Sequence, residues 1–135
     1  MKLITRDTDY AIRSLVYMAK NNTQVVSVQE LVEVLQMPRA FLRRLLQLLS
    51  KHNVLKSLKG KGGGFILNAA PKKISIIDII QIFQGQLDIS NCFFKKEICP
   101  NVKTCPLRKK IKKIEKNVFH ELSSTTIASL LRKTR

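Results

Sequence analysis

The sequence predicts a mainly α-helical protein, a winged helix-turn-helix with a two-stranded wing and a long C-terminal dimerisation helix. Near the N-terminus, two amphipathic helices flank a short turn, and the second is edged with arginine. Two strand-like segments then flank a glycine-rich turn, the pattern of a β-hairpin. Toward the C-terminus, apolar residues recur at helical spacing over about five turns. The predicted units are the winged helix-turn-helix over residues 1–85, a cysteine-bearing loop over 86–105, and the long helix with a short terminal helix over 106–135.

The charge of the chain favours a polyanionic partner. The chain has 135 residues, fewer than the roughly 150 typical of one domain. Its 25 lysines and arginines outnumber 9 aspartates and glutamates, for a net charge of +16. Nucleic acid is the first candidate partner and an anionic membrane the second. No apolar stretch approaches the roughly 18 residues of a membrane span, and the N-terminus lacks a signal-peptide pattern. We therefore expect a cytoplasmic protein with no membrane partner.

Local start signals mark the first two helices. We expect Thr8 or Asp7 to cap the first helix, which ends near Lys20. Ser27 and Glu30 have the spacing of a capping box, in which each side chain bonds the backbone amide of the other. The second helix is therefore predicted to begin after Ser27 and to be short.

The third helix begins at Pro38, since a proline in the first turn loses no hydrogen bond. Its leucines face the core. Scattered exposed arginines are usually only solvated, but here they cluster at the N-terminal end of the second helix of a helix-turn-helix. That end reaches base edges, where arginine pairs with guanine. The residues of this helix predicted to contact DNA are Arg39, Arg43, Arg44 and Gln47.

A basic hairpin follows the third helix. Strands are predicted over residues 54–59 and 65–68, and glycines between them supply the positive φ that a tight turn needs. Lys59 and Lys61 lie on either side of Gly60. An ordinary hairpin with incidental charge is the alternative, but lysines at a hairpin tip suit the negative potential of a minor groove. Lys59 and Lys61 are therefore predicted to contact DNA.

The C-terminal part is predicted to be helical. A capping box at Ser75 and Asp78 opens a short helix that Gly85 ends, and Ser124 or Thr125 caps the terminal helix. Between them, a helix over residues 106–122 carries apolar residues at steps of 3 and 4. This stripe could face the core, but dimerisation is favoured because helix-turn-helix proteins commonly bind paired half-sites as dimers. Its residues are Leu107, Ile111, Ile114, Val118 and Leu122.

Three cysteines, Cys92, Cys99 and Cys105, lie close together in the sequence. Zinc sites usually contain pairs of ligands two to four residues apart, so this spacing is poor for zinc. Thiolates around wide turns of backbone suit iron–sulfur ligation, and nearby lysines would offset the charge of a cluster. Three unrelated free cysteines are an equal alternative from spacing alone, and a metal-free thiol switch is another. No C-x-x-C motif is present.

Together these motifs resemble the IscR/NsrR/RirA-type (Rrf-two) winged-helix transcription regulators of bacteria. The resemblance spans essentially the whole chain: Met1-Lys2-Leu3, Thr8-Asp9-Tyr10-Ala11-Ile12-Arg13, the helix-turn-helix, Lys59-Gly60-Lys61-Gly62-Gly63-Gly64-Phe65, and the cysteines before a long helix. It implies a homodimer crossing through the long helices, bound to a palindromic operator in double-stranded DNA. It also implies an iron–sulfur cluster, [2Fe-2S] or [4Fe-4S], held by Cys92, Cys99 and Cys105.

The resemblance also bears on a fourth ligand. Iron–sulfur assembly regulators have a histidine three residues after the third cysteine, where this chain has Arg108. The nitric-oxide-sensing NsrR branch uses an aspartate of the first helix of the other subunit, and Asp9 matches that position. The alternative is a first-turn aspartate favoured by the helix dipole.

The function implied is a cluster-sensing repressor that responds to nitric oxide, iron or redox status. No nucleotide-binding loop or substrate-pocket signature indicates an enzyme. A winged-helix regulator with a metal-free cysteine redox switch is the alternative.

Overall fold

The computed structural model describes residues 3–21, 24–88 and 105–133. These ranges are mainly helical and contain one two-stranded antiparallel sheet, which confirms the winged-helix prediction. The elements are α1 (Arg6–Lys20), α2 (Val28–Leu35), α3 (Arg39–Lys51), β1 (Leu55–Leu58), β2 (Gly64–Leu67), a 3-10 turn (Pro71–Lys73), α4 (Ile76–Gln84), α5 (Pro106–Ser124) and α6 (Ile127–Lys133).

The core lies where α1, α2 and β1 pack on α3, and where α4 and α6 pack on α1. Helix α3 turns a stripe of leucines inward at helical spacing, while Phe41 and Leu48 are only half-buried. Buried side chains of α1, α2, α4 and α6 belong to the same hydrophobic cluster as this stripe, and those at its centre are at most 2 % exposed. The central residues are Ala11, Leu15, Val26, Leu31, Leu42, Leu45, Leu46, Leu49, Ile79, Ile80 and Ile127.

The first two helices are capped by threonine and serine. Thr5 caps α1, because its Oγ1 accepts a hydrogen bond from the backbone N of Thr8 at 3.4 Å, so the expected cap at Thr8 or Asp7 is wrong. The helix begins two residues earlier than its apolar pattern suggests. Ser27 caps α2 as predicted, with its Oγ 3.1 Å from the N of Glu30. The second bond of the predicted capping box, from the Ser27 amide to the Glu30 side chain, is replaced by another. The Glu30 carboxylate instead accepts a hydrogen bond from the Tyr17 hydroxyl of α1.

The wing is a two-stranded hairpin to which a third segment adds one isolated β-bridge. β1 and β2 are antiparallel, and Val26 forms an isolated bridge to Phe65 with N–O distances of 3.0 and 2.8 Å in the two directions. A Cβ added to Gly64 would lie 2.4 Å from the Val26 carbonyl oxygen, so this close approach requires glycine. Gly60 has a φ of +95°, which lets the chain reverse at the tip. The glycines therefore serve the hairpin itself.

The C-terminal segment leaves the core and returns to it. Helix α5 packs against α4, and none of its residues is fully buried. Helix α6 then packs on α1 and the 3-10 turn, with Ile127 completely buried. Thr126 caps α6, because its Oγ1 accepts from Ser129 N at 3.2 Å. The expected cap at Ser124 or Thr125 is therefore wrong: α5 extends through Ser124, and both side chains bond the Glu121 carbonyl.

Candidate nucleic-acid interface

A concave groove of about 650 Å³ separates the outer face of α3 from the wing. Arg39, Arg43 and Gln47 are four residues apart in sequence, so they lie on one face of α3 and line the groove together. Lys59 lines the opposite wall. The lining contains no aspartate or glutamate, and the groove is therefore an electropositive cleft.

The N-terminus of α2 contributes to the same groove. Ser27, Val28 and Gln29 line it, and Gln29 Oε1 accepts a hydrogen bond from Arg39 Nη1 at 3.1 Å. Sequence reasoning missed Gln29. A signal for it was available, because the first helix of a helix-turn-helix crosses the DNA backbone.

The wing separates its two predicted DNA contacts. Lys59 lines the groove, whereas Lys61 is exposed in the hairpin turn and does not. The rest of the wing wall is formed by Ser57, Leu58, Gly60, Gly63, Gly64 and Phe65. Lys59 therefore faces the groove, whereas Lys61 is exposed to solvent at the tip of the hairpin.

Arg44 is the predicted DNA-contact residue of α3 that does not line the groove. Its Nη2 lies 3.2 Å from Asp7 Oδ2, and its side chain is 64 % exposed. Its guanidinium carbon lies 5.6 Å from the ring centroid of Phe41, and that of Arg6 lies 5.1 Å from the same centroid. Arg44 thus lies beside the groove-lining face of α3 and joins α3 to the first turn of α1.

Two of the four predicted cluster ligands fall within the described residues. Asp9 is 45 % exposed on α1, and its Oδ1 accepts from Arg13 Nε at 3.1 Å. Cys105 is the N-cap of α5, half-buried, and its Sγ accepts from the N of Arg108 at 3.5 Å. The backbone N–H groups of the first turn of α5 point toward this sulfur, so the position fits a cluster ligand.

The predicted ligands Cys92 and Cys99 lie outside the described residues. Within residues 3–21, 24–88 and 105–133, no three histidine, cysteine or acidic side chains group closely enough to hold a metal ion.

The predicted dimerisation stripe is divided along α5. Leu107 is 69 % and Ile114 40 % exposed, whereas Ile111, Val118 and Leu122 are half-buried, and Leu122 packs against the core. Although α5 is the longest described helix, neither it nor another in these ranges is apolar enough over its length to cross a bilayer.

The family comparison covers nearly the whole chain. The model of the Rrf2 family, described as iron-dependent transcriptional regulators, matches residues 4–133. A protein of Aquifex aeolicus (strain VF5) described as an HTH-type transcriptional regulator is 33 % identical over 124 residues, which cover 90 % of this chain and 86 % of the relative. The protein aau3 of Rhizobium meliloti (strain 1021) is 28 % identical over 130 residues, 96 % of this chain and 84 % of that protein.

Solved structures share the fold. CymR (YrzC), the global cysteine regulator of B. subtilis, superimposes over all of both chains with a TM-score of 0.83 at 24 % identity. IscR of T. potens gives a TM-score of 0.78 at 23 % identity, over all of this chain and 89 % of its own. From the family match over residues 4–133, the chain belongs to the Rrf2 family of transcriptional regulators, which is the Rrf-two family its motifs indicated.

Proposed function

We propose that this protein is a homodimeric repressor in the cytoplasm whose affinity for a palindromic operator depends on the state of an iron–sulfur cluster. The α3–wing groove is the observation that carries the DNA-binding part. It brings Arg39, Arg43 and Gln47 onto one exposed face opposite Lys59, and acidic side chains are absent from its lining.

The groove residues have distinct tasks in this proposal. Arg39 and Arg43 pair with guanine edges in the major groove, and Gln47 suits adenine. Lys59 and Lys61 contact phosphates or enter the minor groove, where they add affinity without reading sequence. Because one groove reads one half-site, a two-fold dimer would read a palindrome whose half-sites lie about 34–36 Å apart.

Dimerisation through α5 rests on its uncovered apolar residues. Leu107 and Ile114 are apolar yet exposed in the protomer, and burial of such side chains stabilises association. Leu122, at the far end of the stripe, already packs inside the protomer. The dimer contact is therefore expected to centre on the N-terminal half of α5.

The cluster would be held by Cys92, Cys99 and Cys105 of one subunit, with Asp9 of the other subunit as fourth ligand. When bound, an iron–sulfur cluster supplies a group sensitive to nitric oxide, iron supply and redox state. Cys105 fits a ligand because it is half-buried at the start of α5, and Asp9 fits because its carboxylate is exposed. Arg13 already bonds Asp9 and would orient that carboxylate.

A cluster shared between subunits affects DNA binding if it favours one spacing of the two grooves. Such a ligand shifts the equilibrium only by its different affinity for the two arrangements. We expect operator affinity to differ at least tenfold between cluster-loaded and cluster-free protein, and equal affinities would contradict the coupling.

The test is anaerobic purification with iron and sulfide quantitation, and a visible spectrum before and after nitric oxide. DNA affinity is then measured on duplexes selected from a random pool. Stoichiometric iron and sulfide, with a spectrum that bleaches on nitric oxide, is the expected result. Asp9→Asn should lower the retained iron, whereas Asp78→Asn, another first-turn carboxylate, should not.

A metal-free thiol switch is the second candidate. It is favoured by Cys105, a free cysteine that is only half-buried. Colourless, iron-free protein that resists reconstitution, but loses DNA affinity on mild oxidation and regains it with a reductant, would replace the cluster proposal with this one.

A further inference from the structure

The first turn of α1 is fixed to the end of α4 by one side chain. Gln84 Oε1 accepts hydrogen bonds from Thr5 N at 2.9 Å and from Thr8 Oγ1 at 2.6 Å. Its Nε2 donates to the Leu3 carbonyl at 3.1 Å. Thr8 is fully buried, so its hydroxyl depends on partners within the protein. The amide of Gln84 thus determines where the first turn of α1 lies.

The same turn is joined to the reading helix by an independent set of contacts. Asp7 bonds Arg44 at 3.2 Å, and Arg44 lies over the ring of Phe41. Arg6 also lies over that ring, and Tyr10 meets it edge-on with a centroid separation of 5.9 Å. A displacement of the first turn therefore moves groups that contact α3 directly, on the flank of its reading face.

Asp9, the proposed ligand from α1, is two residues from Asp7 in the same helical stretch. Both residues lie in the first turn of α1, so a displacement of Asp9 on ligation would be passed to Asp7 through the helix. Arg44 belongs to α3, so its bond to Asp7 connects the first turn of α1 to that helix.

We propose that Asp7 and Gln84 are positioning residues that make the first turn of α1 the link between the cluster site and the reading helix. This inference rests on the proposed function and deepens it. Asp7 passes displacement to Arg44, and Gln84 bonds both Thr5 and Thr8, which stiffens the first turn so that the displacement is not absorbed by local bending. Neither residue lines the α3–wing groove.

The experiment measures the ratio of DNA affinities of cluster-loaded and cluster-free protein in Asp7→Asn and Gln84→Met. The controls are Asp78→Asn, which also removes a first-turn carboxylate, and Gln81→Met on the exposed face of α4. We expect the wild-type ratio, at least tenfold, to fall at least threefold in both test variants and to stay within twofold in the controls. In the double variant the two losses should not add, because the residues act in series. A purely structural role would change both affinities and leave their ratio intact, and an unchanged ratio in both variants overturns the proposal.

A second measurement needs no cluster. In cluster-free protein, Gln84→Met should shift the guanidinium NMR signals of Arg44, assigned by their loss in Arg44→Lys, while Gln81→Met leaves them in place. If the DNA affinity of the wild-type protein proves independent of the cluster, the proposed function fails. The Arg44 signals then decide by themselves whether the first turn of α1 connects Gln84 to α3. Unmoved Arg44 signals overturn that connection. If Gln84→Met does not fold, the affinity ratio of Asp7→Asn decides, because Asp7 is only half-buried and its substitution leaves the core intact.

Discussion

Gln29 at the start of α2 holds Arg39 at the start of α3, with 3.1 Å between Gln29 Oε1 and Arg39 Nη1. The amide of Gln29 is itself oriented, because its Nε2 donates to Glu33 Oε1 at 3.3 Å. A guanidinium held in place before DNA arrives loses less rotational freedom on binding. The first turn of α2 therefore orients the first arginine on the groove-lining face of α3.

This contact predicts coupled effects of two substitutions on DNA affinity. Arg39→Ala should weaken operator binding by about 1–3 kcal/mol and relax specificity at one base position. Gln29→Ala should weaken it less, and the double variant should lose less than the two single losses combined. Fluorescence anisotropy on the selected duplex measures all three. Gln24→Ala, an exposed glutamine outside the groove, is the control. Strictly additive losses would mean that Gln29 does not position Arg39.

The wing predicts a salt-dependent contribution without sequence preference. Lys59→Ala should reduce the slope of log affinity against log salt concentration by about 1 and weaken specific and random duplexes alike. Titrations between low and moderate salt measure the slope. Lys20→Ala removes an exposed lysine of α1 that does not line the groove, so its slope should match wild type. A loss confined to the selected duplex would show that Lys59 reads a base.

The exposed apolar residues of α5 predict where the dimer forms. Leu107→Gln with Ile114→Gln should raise the dimer dissociation constant on the order of tenfold or more, because buried apolar contacts at an interface centre dominate association. Sedimentation over a concentration series measures it. Phe119→Gln is a matched control, since Phe119 is 42 % exposed beside 40 % for Ile114 but lies off the predicted stripe. Dissociation by Phe119→Gln alone would move the interface to the other side of α5.

The return of α6 to the core predicts a large stability effect near the C-terminus. Ile127→Ala should lower the free energy of unfolding by about 2–5 kcal/mol, because it empties a fully buried site. Val34→Ala removes methyl groups from a side chain that is 48 % exposed and should change stability by less than about 0.5 kcal/mol. Urea unfolding followed by circular dichroism compares them. Equal effects would mean that α6 contributes little to the core.

The hydrogen bond between Tyr17 and Glu30 predicts that the folded protein loses stability at alkaline pH. This hydrogen bond raises the pKa of the Tyr17 hydroxyl, and burial and the Glu30 charge act in the same direction. The folded state therefore favours the neutral hydroxyl, and its contribution is complete below about pH 10 and lost as pH rises through the raised pKa. The melting temperature of wild type should fall more steeply above pH 10 than that of Tyr17→Phe. Parallel curves for the two proteins would contradict this assignment.

The elements themselves were predictable because their signals act over a few residues. Ser27 and Ser75 cap helices within three residues of themselves, and the leucines of α3 repeat at the period of the helix. The face shared by Arg39, Arg43 and Gln47 follows from the same period. The predicted caps of α1 and α6 were wrong because helix ends depend on competing local bonds. The bonds of Ser124 and Thr125 to the Glu121 carbonyl are an example.

The spacing of residues along the chain determined the order of the helices, the position of the hairpin and the grouping of the arginines on α3. It could do so because repeat period and turn chemistry are local properties. Only the packing of distant segments decided the rest. It turned Arg44 toward Asp7, 37 residues away, it joined Gln84 to Thr5 and Thr8, and it returned Ile127 to the core. Such contacts depend on how the surfaces of separate elements pack in three dimensions, and residue spacing along the chain does not reveal that packing.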